Sequence, residues 1–431
     1  MRVLIRGGRV IDPSRGLDAI RDVAIDGGII RAISEDIEER GHEIIDATNC
    51  VVAPGFIDMH VHLREPGQTH KETIATGTAA AAAGGFAAVA CMPNTTPAID
   101  TPAVIAEIAQ RVSTAGLSRV YPIGAITRGR EGNEIAPYHE LAAAGAVAFS
   151  DDGSTVRNAR VLRNAALYAR DVGGPFISHC LDDDLHDDAV MNEGAQSAAL
   201  GLTGSPRLAE DVMVARDVLI AADTRKAWHI AHVTTAGALD IIRWARSRET
   251  NVTCEVTPHH LMLHDDLFVD YHARAKVAPP LRGSDDSAAL RAAVRDGTID
   301  VFATDHAPHT AEEKAQLLST APVGFSGLEI AVGAYAHALP DLPLERFITM
   351  LSTRPAQILG VEGGALTVGA RADVTIFAER PWTVEARSFY SKGKNTPFDG
   401  MRFERRVVAT VVGGRLAYHV DRGIIEPLAY A

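Results

Sequence analysis

Thiol is scarce in this sequence: 431 residues include four cysteines, Cys50, Cys91, Cys180 and Cys254, and no two form a CxxC pair. That argues against thiolate metal sites and a disulfide scaffold; buried free thiols in a reducing compartment are the expectation. Cationic excess is also lacking. Lys and Arg number 42 against 55 Asp and Glu, a formal net charge of −13. Such a surface repels phosphate backbones and anionic membranes, so neither nucleic acid nor membrane is an expected partner. A small anionic substrate stays open, because a local cluster of cations can bind one. A membrane span is not expected either. The charge-free stretch Thr73–Pro93 is mostly Ala and Gly, is broken at Gly84-Gly85 and ends at Pro93; it reads as helix, turn and strand. The opening MRVLIRGGRVIDP has no signal-peptide core and reads as a strand entering a turn. A cytoplasmic protein is expected.

Apolar material is ample, at 46% hydrophobic residues, and its pattern changes along the chain. The first ~50 and last ~70 residues alternate short apolar runs with Gly, Asp and Pro, a hairpin-like β pattern. Between them lie eight short, mostly apolar strand candidates: GFIDMHVH, FAAVACM, VYPIGAI, AVAFSDD, PFISHC, AWHIAH, NVTCEVTP and DVFATDH. Most are separated by helix-like segments such as PAVIAEIAQRVSTAG. Continuous apolar strands are those covered on both faces, and eight βα units predict an α/β fold, a (β/α)8 TIM-like barrel. The expected division is a barrel over residues 55–359, with 1–54 and 360–431 forming one small β-sandwich domain from both chain ends.

In such a barrel, function gathers at the C-terminal ends of the strands. The first candidate strand ends in His60 and His62, which share a face about 6.5 Å apart at the backbone. The fourth ends in Ser150, Asp151 and Asp152, the fifth in His179, the sixth in His232, and the eighth in Asp305, followed by His306 and His309. Imidazole and carboxylate without thiolate suit Zn²⁺ and similar divalent ions. The set is large enough for two ions sharing a bridging carboxylate.

These residues resemble the amidohydrolase superfamily pattern. HVHLREPG, MPNT, FSDDG, EVTPHHL, PPLR, ATDHAPH and SKGKNTPF-x14-GG together resemble bacterial class I dihydroorotase over nearly the whole chain. The resemblance implies reversible cyclisation of N-carbamoyl-L-aspartate to L-dihydroorotate, a step of pyrimidine biosynthesis, by a metal-bound hydroxide with Asp305 as general acid and base. It places metal ligands at His60, His62, Asp152, His179, His232 and Asp305, with one or two Zn²⁺ per chain. Many relatives bridge their metals with a carboxylated lysine; the fourth strand offers Ala148, Phe149 and Ser150 and no lysine, and Asp152 holds the metals instead. Substrate positions fall on His62, Arg64, Asn94, Ala278, His309, Val323 and Gly324. Ala278 stands where the family usually has Asn, and Val323-Gly324 close an APVG in place of the usual loop. His259 and His260 are expected to be structural or to lie behind the ligands. A homo-oligomer is expected, with aspartate transcarbamoylase as a candidate partner. The rival readings are another cyclic amidase (hydantoinase, dihydropyrimidinase or allantoinase), or a catalytically silent partner of aspartate transcarbamoylase. The former usually carry the lysine missing here, and silent copies typically lose the ligands that this chain keeps.

Overall fold

The computed structural model of the chain describes residues 2–38, 40–269 and 271–425. Residues 1, 39 and 426–431 of the flanking segments and residue 270 of the central one lie outside the described residues. The central segment forms eight parallel strands: β1 (Phe56–Val61), β2 (Phe86–Cys91), β3 (Arg119–Ala125), β4 (Ala148–Ser150), β5 (Phe176–Ser178), β6 (Trp228–Ile230), β7 (Val252–Val256) and β8 (Val301–Phe302). Their order in the sheet is their order in the chain. The ring closes where Val61 bridges His306 in parallel and the His62 N–H donates to the His306 carbonyl at 2.8 Å. Helices fill the crossovers, from Ile74–Ala83 after β1 to Ser284–Asp296 before β8.

Apart from the partly exposed start of β3, both strand faces are buried, which is why the strands read as apolar runs. Ile57, Met59, Ala88, Ala90, Ile123, Ala148, Ile177 and Val301 pack together as one cluster. Phe86, Val89, Phe149, Phe176 and Trp228 pack in another, with helix residues such as Leu162, Val218 and Ile242. The charge-free stretch resolves as expected into the helix Ile74–Ala83, a turn at Gly84-Gly85 and β2.

The chain ends share a nine-stranded sheet, joined where Val51–Pro54 pairs antiparallel with the start of Val374–Thr383. Val3, Ile5, Val23 and Ile25 from one end and Val374, Ile376, Ala409 and Val411 from the other make one core. Thr375 Oγ1 ties this sheet to the barrel, accepting from the Phe56 N–H at 3.0 Å and donating to the Gly85 carbonyl at 2.6 Å. These contacts lie at the starts of β1 and β2, opposite the barrel mouth.

A strap from the C-terminal part lies against the exit of β8. Glu72 accepts from Ser391 Oγ and, at 2.9 Å, from the Lys392 N–H; Ser326 Oγ donates to the Gly393 carbonyl at 2.8 Å. A Cβ at Gly393 would come within 2.7 Å of the Pro308 Cβ and 3.1 Å of the His309 backbone nitrogen. The strap needs glycine there because it rests on Pro308-His309.

Glu329, in the turn Leu328–Ile330, accepts the Ser391 N–H at 3.0 Å, and burial pushes its carboxyl up to about 8. In the unfolded chain this group titrates near 4.5. Between those values the unfolded chain has lost the proton and the folded chain keeps it, so stability falls as pH rises through the window. Glu329→Gln keeps an acceptor and removes the titration. Its stability relative to wild type is expected to grow from pH 5 to pH 8, by at most about 1.4 kcal/mol per pH unit, in denaturant unfolding at several pH values; a constant difference contradicts this.

Candidate active site

Asp58, inside β1, is wholly buried and accepts the N–H groups of His60 at 3.1 Å and Thr304 at 3.2 Å. It therefore locks the β1 exit to the β8 exit, where His60, His62 and Asp305 emerge. Around that seam the structure brings six side chains together, all buried. His60 Nε2 lies 3.5 Å from Asp152 Oδ1 and 3.5 Å from Asp305 Oδ1. His62 Nε2 lies 3.1 Å from Asp305 Oδ1 and 3.5 Å from Asp152 Oδ2. His232 Nε2 is 3.4 Å and His179 Nδ1 3.5 Å from Asp152 Oδ1, and these two nitrogens are 2.9 Å apart.

The adjacent aspartates of FSDDG do different work. Asp151 faces away from this cluster and accepts the N–H groups of Ile126 at 2.8 Å and Thr127 at 3.0 Å, pinning the β3 exit. Asp152 faces the imidazoles. Burial alone would raise its pKa, but His60, His179 and His232 hold it well below the usual carboxylate range.

Two acceptors outside the cluster set the histidine tautomers. His60 Nδ1 donates to Glu255 Oε1 at 2.6 Å, and His62 Nδ1 to Asn94 Oδ1 at 2.8 Å. Each Nε2 lone pair is then left facing the carboxylates. Glu255 also accepts the His232 N–H at 3.1 Å and sits 3.1 Å from His229 Nε2. Burial opposes its ionisation, but His60 and His229 outweigh that and keep it a carboxylate. Glu255 escaped the sequence reading. Its signal was a lone acid in the apolar run NVTCEVTP, and its partner is 195 residues away.

The donor set fits a divalent cation. His60 Nε2 and Asp152 Oδ1 are buried with no hydrogen-bond partner. Such orphans are costly in a protein interior unless a cation satisfies them. Two overlapping groups, His60–Asp152–His232 and His60–His62–Asp305, each have ligand atoms within 4.8 Å of one another. They share His60, and all their donors are N or O.

A cavity of about 400 Å³ opens over this cluster. Arg64 lines it, with Nε donating to the Pro308 carbonyl at 3.2 Å and Nη2 lying 3.1 Å from His309 Nε2. Burial lowers its pKa to about 10, so it stays cationic at neutral pH. His309 is the opposite case. Burial, then Arg64 and Lys71, push it down to about 3, so the ring is neutral, and Nε2 lies 2.8 Å from the Val323 carbonyl. Asn94 and Ala278 line the same cavity, and Ala278 offers it only a methyl group. Val323 is exposed at its rim. Gly324 has φ +108° and no room for a Cβ, which would lie 2.6 Å from that of Ala307. Its N–H and carbonyl are bound to the Lys276 carbonyl and to Lys314 Nζ, both at 2.9 Å. His260 is held by Thr257 Oγ1 at 2.7 Å and the Pro279 carbonyl at 3.0 Å; His306 Nε2 lies 3.3 Å from Glu72. Neither belongs to the six-residue cluster. Arg130, another cavity residue, was also missed by the sequence reading.

The family model described as Dihydro-orotase-like matches residues 49–238. A protein named dihydroorotase from Pelobacter propionicus is 47% identical over 422 residues, covering 97% of this chain and 100% of that one. One of the same name from Pelotomaculum thermopropionicum is 49% identical over 421 residues, covering 96% and 98%. Among solved structures, a D-hydantoinase superposes with a TM-score of 0.87 at 22% identity, covering 100% of this chain and 98% of that one. The L-hydantoinase (dihydropyrimidinase) from Arthrobacter aurescens gives 0.87 at 24%, covering 98% and 97%. At that identity the structural likeness speaks to the fold alone, a (β/α)8 barrel with a sheet domain.

Glu255→Gln removes the carboxylate that orients His60 while nearly keeping its volume. Metal affinity is expected to fall roughly 10–100-fold, the usual effect of losing such a partner, in a titration of metal-free protein. Unchanged affinity would mean that Glu255 does not orient a ligand.

Proposed function

This chain belongs to the dihydroorotase family, a metal-dependent cyclic amide hydrolase acting on a small molecule, and we propose which of its residues carry the reaction. The reaction is the reversible ring closure of N-carbamoyl-L-aspartate to L-dihydroorotate, the step that name assigns to pyrimidine biosynthesis. His60, His62, Asp152, His179, His232 and Asp305 are the proposed ligands of one or two Zn²⁺. The observation that carries this is their convergence, with buried orphan donors on His60 and Asp152, beneath a cavity lined by Arg64.

Bound there, the metal would acidify a water molecule and polarise the reacting carbonyl. The chain's own groups do the rest. Arg64 grips the substrate carboxylate that is retained throughout, for which a guanidinium fork is suited. Asn94 accepts from His62 through Oδ1, which leaves its amide N–H groups to donate to the same carboxylate. Neutral His309 fixes the rim through the Val323 carbonyl and sits against Arg64. Asp305 takes the proton from the attacking water and delivers it to the departing ring nitrogen; in ring closure it accepts the proton of the ureido nitrogen. Ring opening releases a carboxylate, so higher pH favours hydrolysis. Among the described residues no helix is long and apolar enough to cross a membrane, and the four cysteines are free and buried. A cytoplasmic homo-oligomer with aspartate transcarbamoylase as a candidate partner, and the division at residues 54/55 and 359/360, complete the reading.

Purified protein with Zn²⁺, offered dihydroorotate, hydantoin, dihydrouracil and allantoin, tests it. Hydrolysis of dihydroorotate with the reverse cyclisation is expected; preference for another ring would overturn it. Asp305→Asn cannot take a proton at neutral pH, while five proposed ligands remain. It is expected to keep a substantial part of its metal and lose on the order of 10²-fold or more in turnover. Retained turnover with metal bound would move the proton to another group. Arg64→Lys keeps the charge but loses the fork, so a marked rise in KM at unchanged metal content is expected; wild-type KM would dismiss Arg64 as the clamp.

A further inference from the structure

Arg130 has no part in the scheme so far. It ends the turn Arg128–Arg130 beyond β3, at φ +59°, and lines the same cavity as Arg64, Asp152 and His179. Its half-buried side chain crosses to the β4 exit. There Nε donates to the Asp151 carbonyl at 3.3 Å and Nη2 to Ser154 Oγ at 2.9 Å. Among the described residues no carboxylate pairs with this guanidinium, and Nη1 makes no bond to the protein. Arg64 stands on the β1–β8 side of the cavity and Arg130 on the β3–β4 side, with the carboxylate–imidazole cluster between them. The carboxylates of Asp152 and Asp151 act on this guanidinium only through space, and a partly desolvated cation with no directly bonded carboxylate, facing a cavity, is a site for an anion.

The two sides of the reaction differ by one anionic group. N-carbamoyl-L-aspartate carries two carboxylates and L-dihydroorotate one. Closing the ring forms a C–N bond at the second carboxylate, expels one of its oxygens as water and consumes one proton. Resting on the dihydroorotase reading, we propose that Arg130 recognises this second carboxylate and makes the site discriminate the open dianion from the ring monoanion. It is a specificity residue for one direction of the reaction, complementary to Arg64, which serves both. The equilibrium constant ties the two directions together. Whatever affinity for the open form Arg130 confers, its loss must appear as a matching rise in the ratio of closing to opening kcat.

The test compares wild type, Arg130→Gln and Arg130→Lys as zinc-loaded enzymes, in both directions, with zinc per chain measured alongside. In Arg130→Gln, KM for N-carbamoyl-L-aspartate is expected to rise roughly 10-fold or more, as for loss of a charged hydrogen bond. KM for dihydroorotate and zinc content should stay near wild type, and the closing-to-opening kcat ratio should rise by the factor that separates the two KM changes. Arg130→Lys should recover part of the affinity for the open form, because it restores the charge. Equal changes in both KM values, or none, overturn the assignment. A fall in zinc content with both affinities would reduce Arg130 to a prop for the Asp151–Ser154 turn and also overturn it. If wild type turns over neither compound, the dihydroorotase reading itself fails and the assignment falls with it.

Discussion

Four imidazoles and two carboxylates are held out of water at the mouth of the barrel, each with a ligand atom within about 3.5 Å of at least one neighbour of opposite kind. Left alone, such a set is costly, because buried polar atoms need partners and facing lone pairs repel. Its persistence requires a scaffold that over-determines each ring. The barrel supplies it in layers. Asp58 joins the backbones of β1 and the β8 exit, Glu255 and Asn94 fix the two Nδ1 atoms of the HxH pair, and Asp151 fixes the turn from which Asp152 projects. The sheet built from both chain ends braces the opposite barrel face through Thr375.

The substrate side rests on a set of buried basic side chains held by backbone carbonyls. Arg64 donates to the Pro308 carbonyl, Lys276 to the carbonyls of Leu318 and Ala321, and Lys314 to those of Pro322 and Gly324. The strap at 391–395 presses on Pro308-His309 from behind. Rim and clamp are therefore one connected structure. Arg64, held by a carbonyl, keeps its charge for a substrate anion, whereas a cation held by a carboxylate would be neutralised.

The barrel was legible because its strands are buried on both faces and so read as apolar runs, whose polar ends then stood out as His60, Asp152, His179, His232 and Asp305. Strands as short as Val301–Phe302 were still found, because the following TDH marked the exit. What was not legible depends on long-range pairing. Asp58 and Glu255 look like stray acids in strands until Thr304 and His60 are brought beside them. Arg130 looks like one of two surface arginines in TRGRE until the β3 turn swings it over the β4 exit. Nor does spacing reveal the parallel pairing of Glu43–Asp46 with Arg2–Asp12, or the small sheet of Met191–Asn192 with Gly204–Ser205.

The central claim is that the buried cluster is a cation site built by six named residues. Anomalous diffraction at the zinc edge from crystals grown with Zn²⁺ tests it most directly. The account predicts one or two strong peaks, the first coordinated by nitrogens of His60 and His232 and an oxygen of Asp152, any second by the remaining imidazoles and carboxylates of the six. Fully occupied zinc elsewhere on the chain, with none between His60 and Asp152, would contradict it.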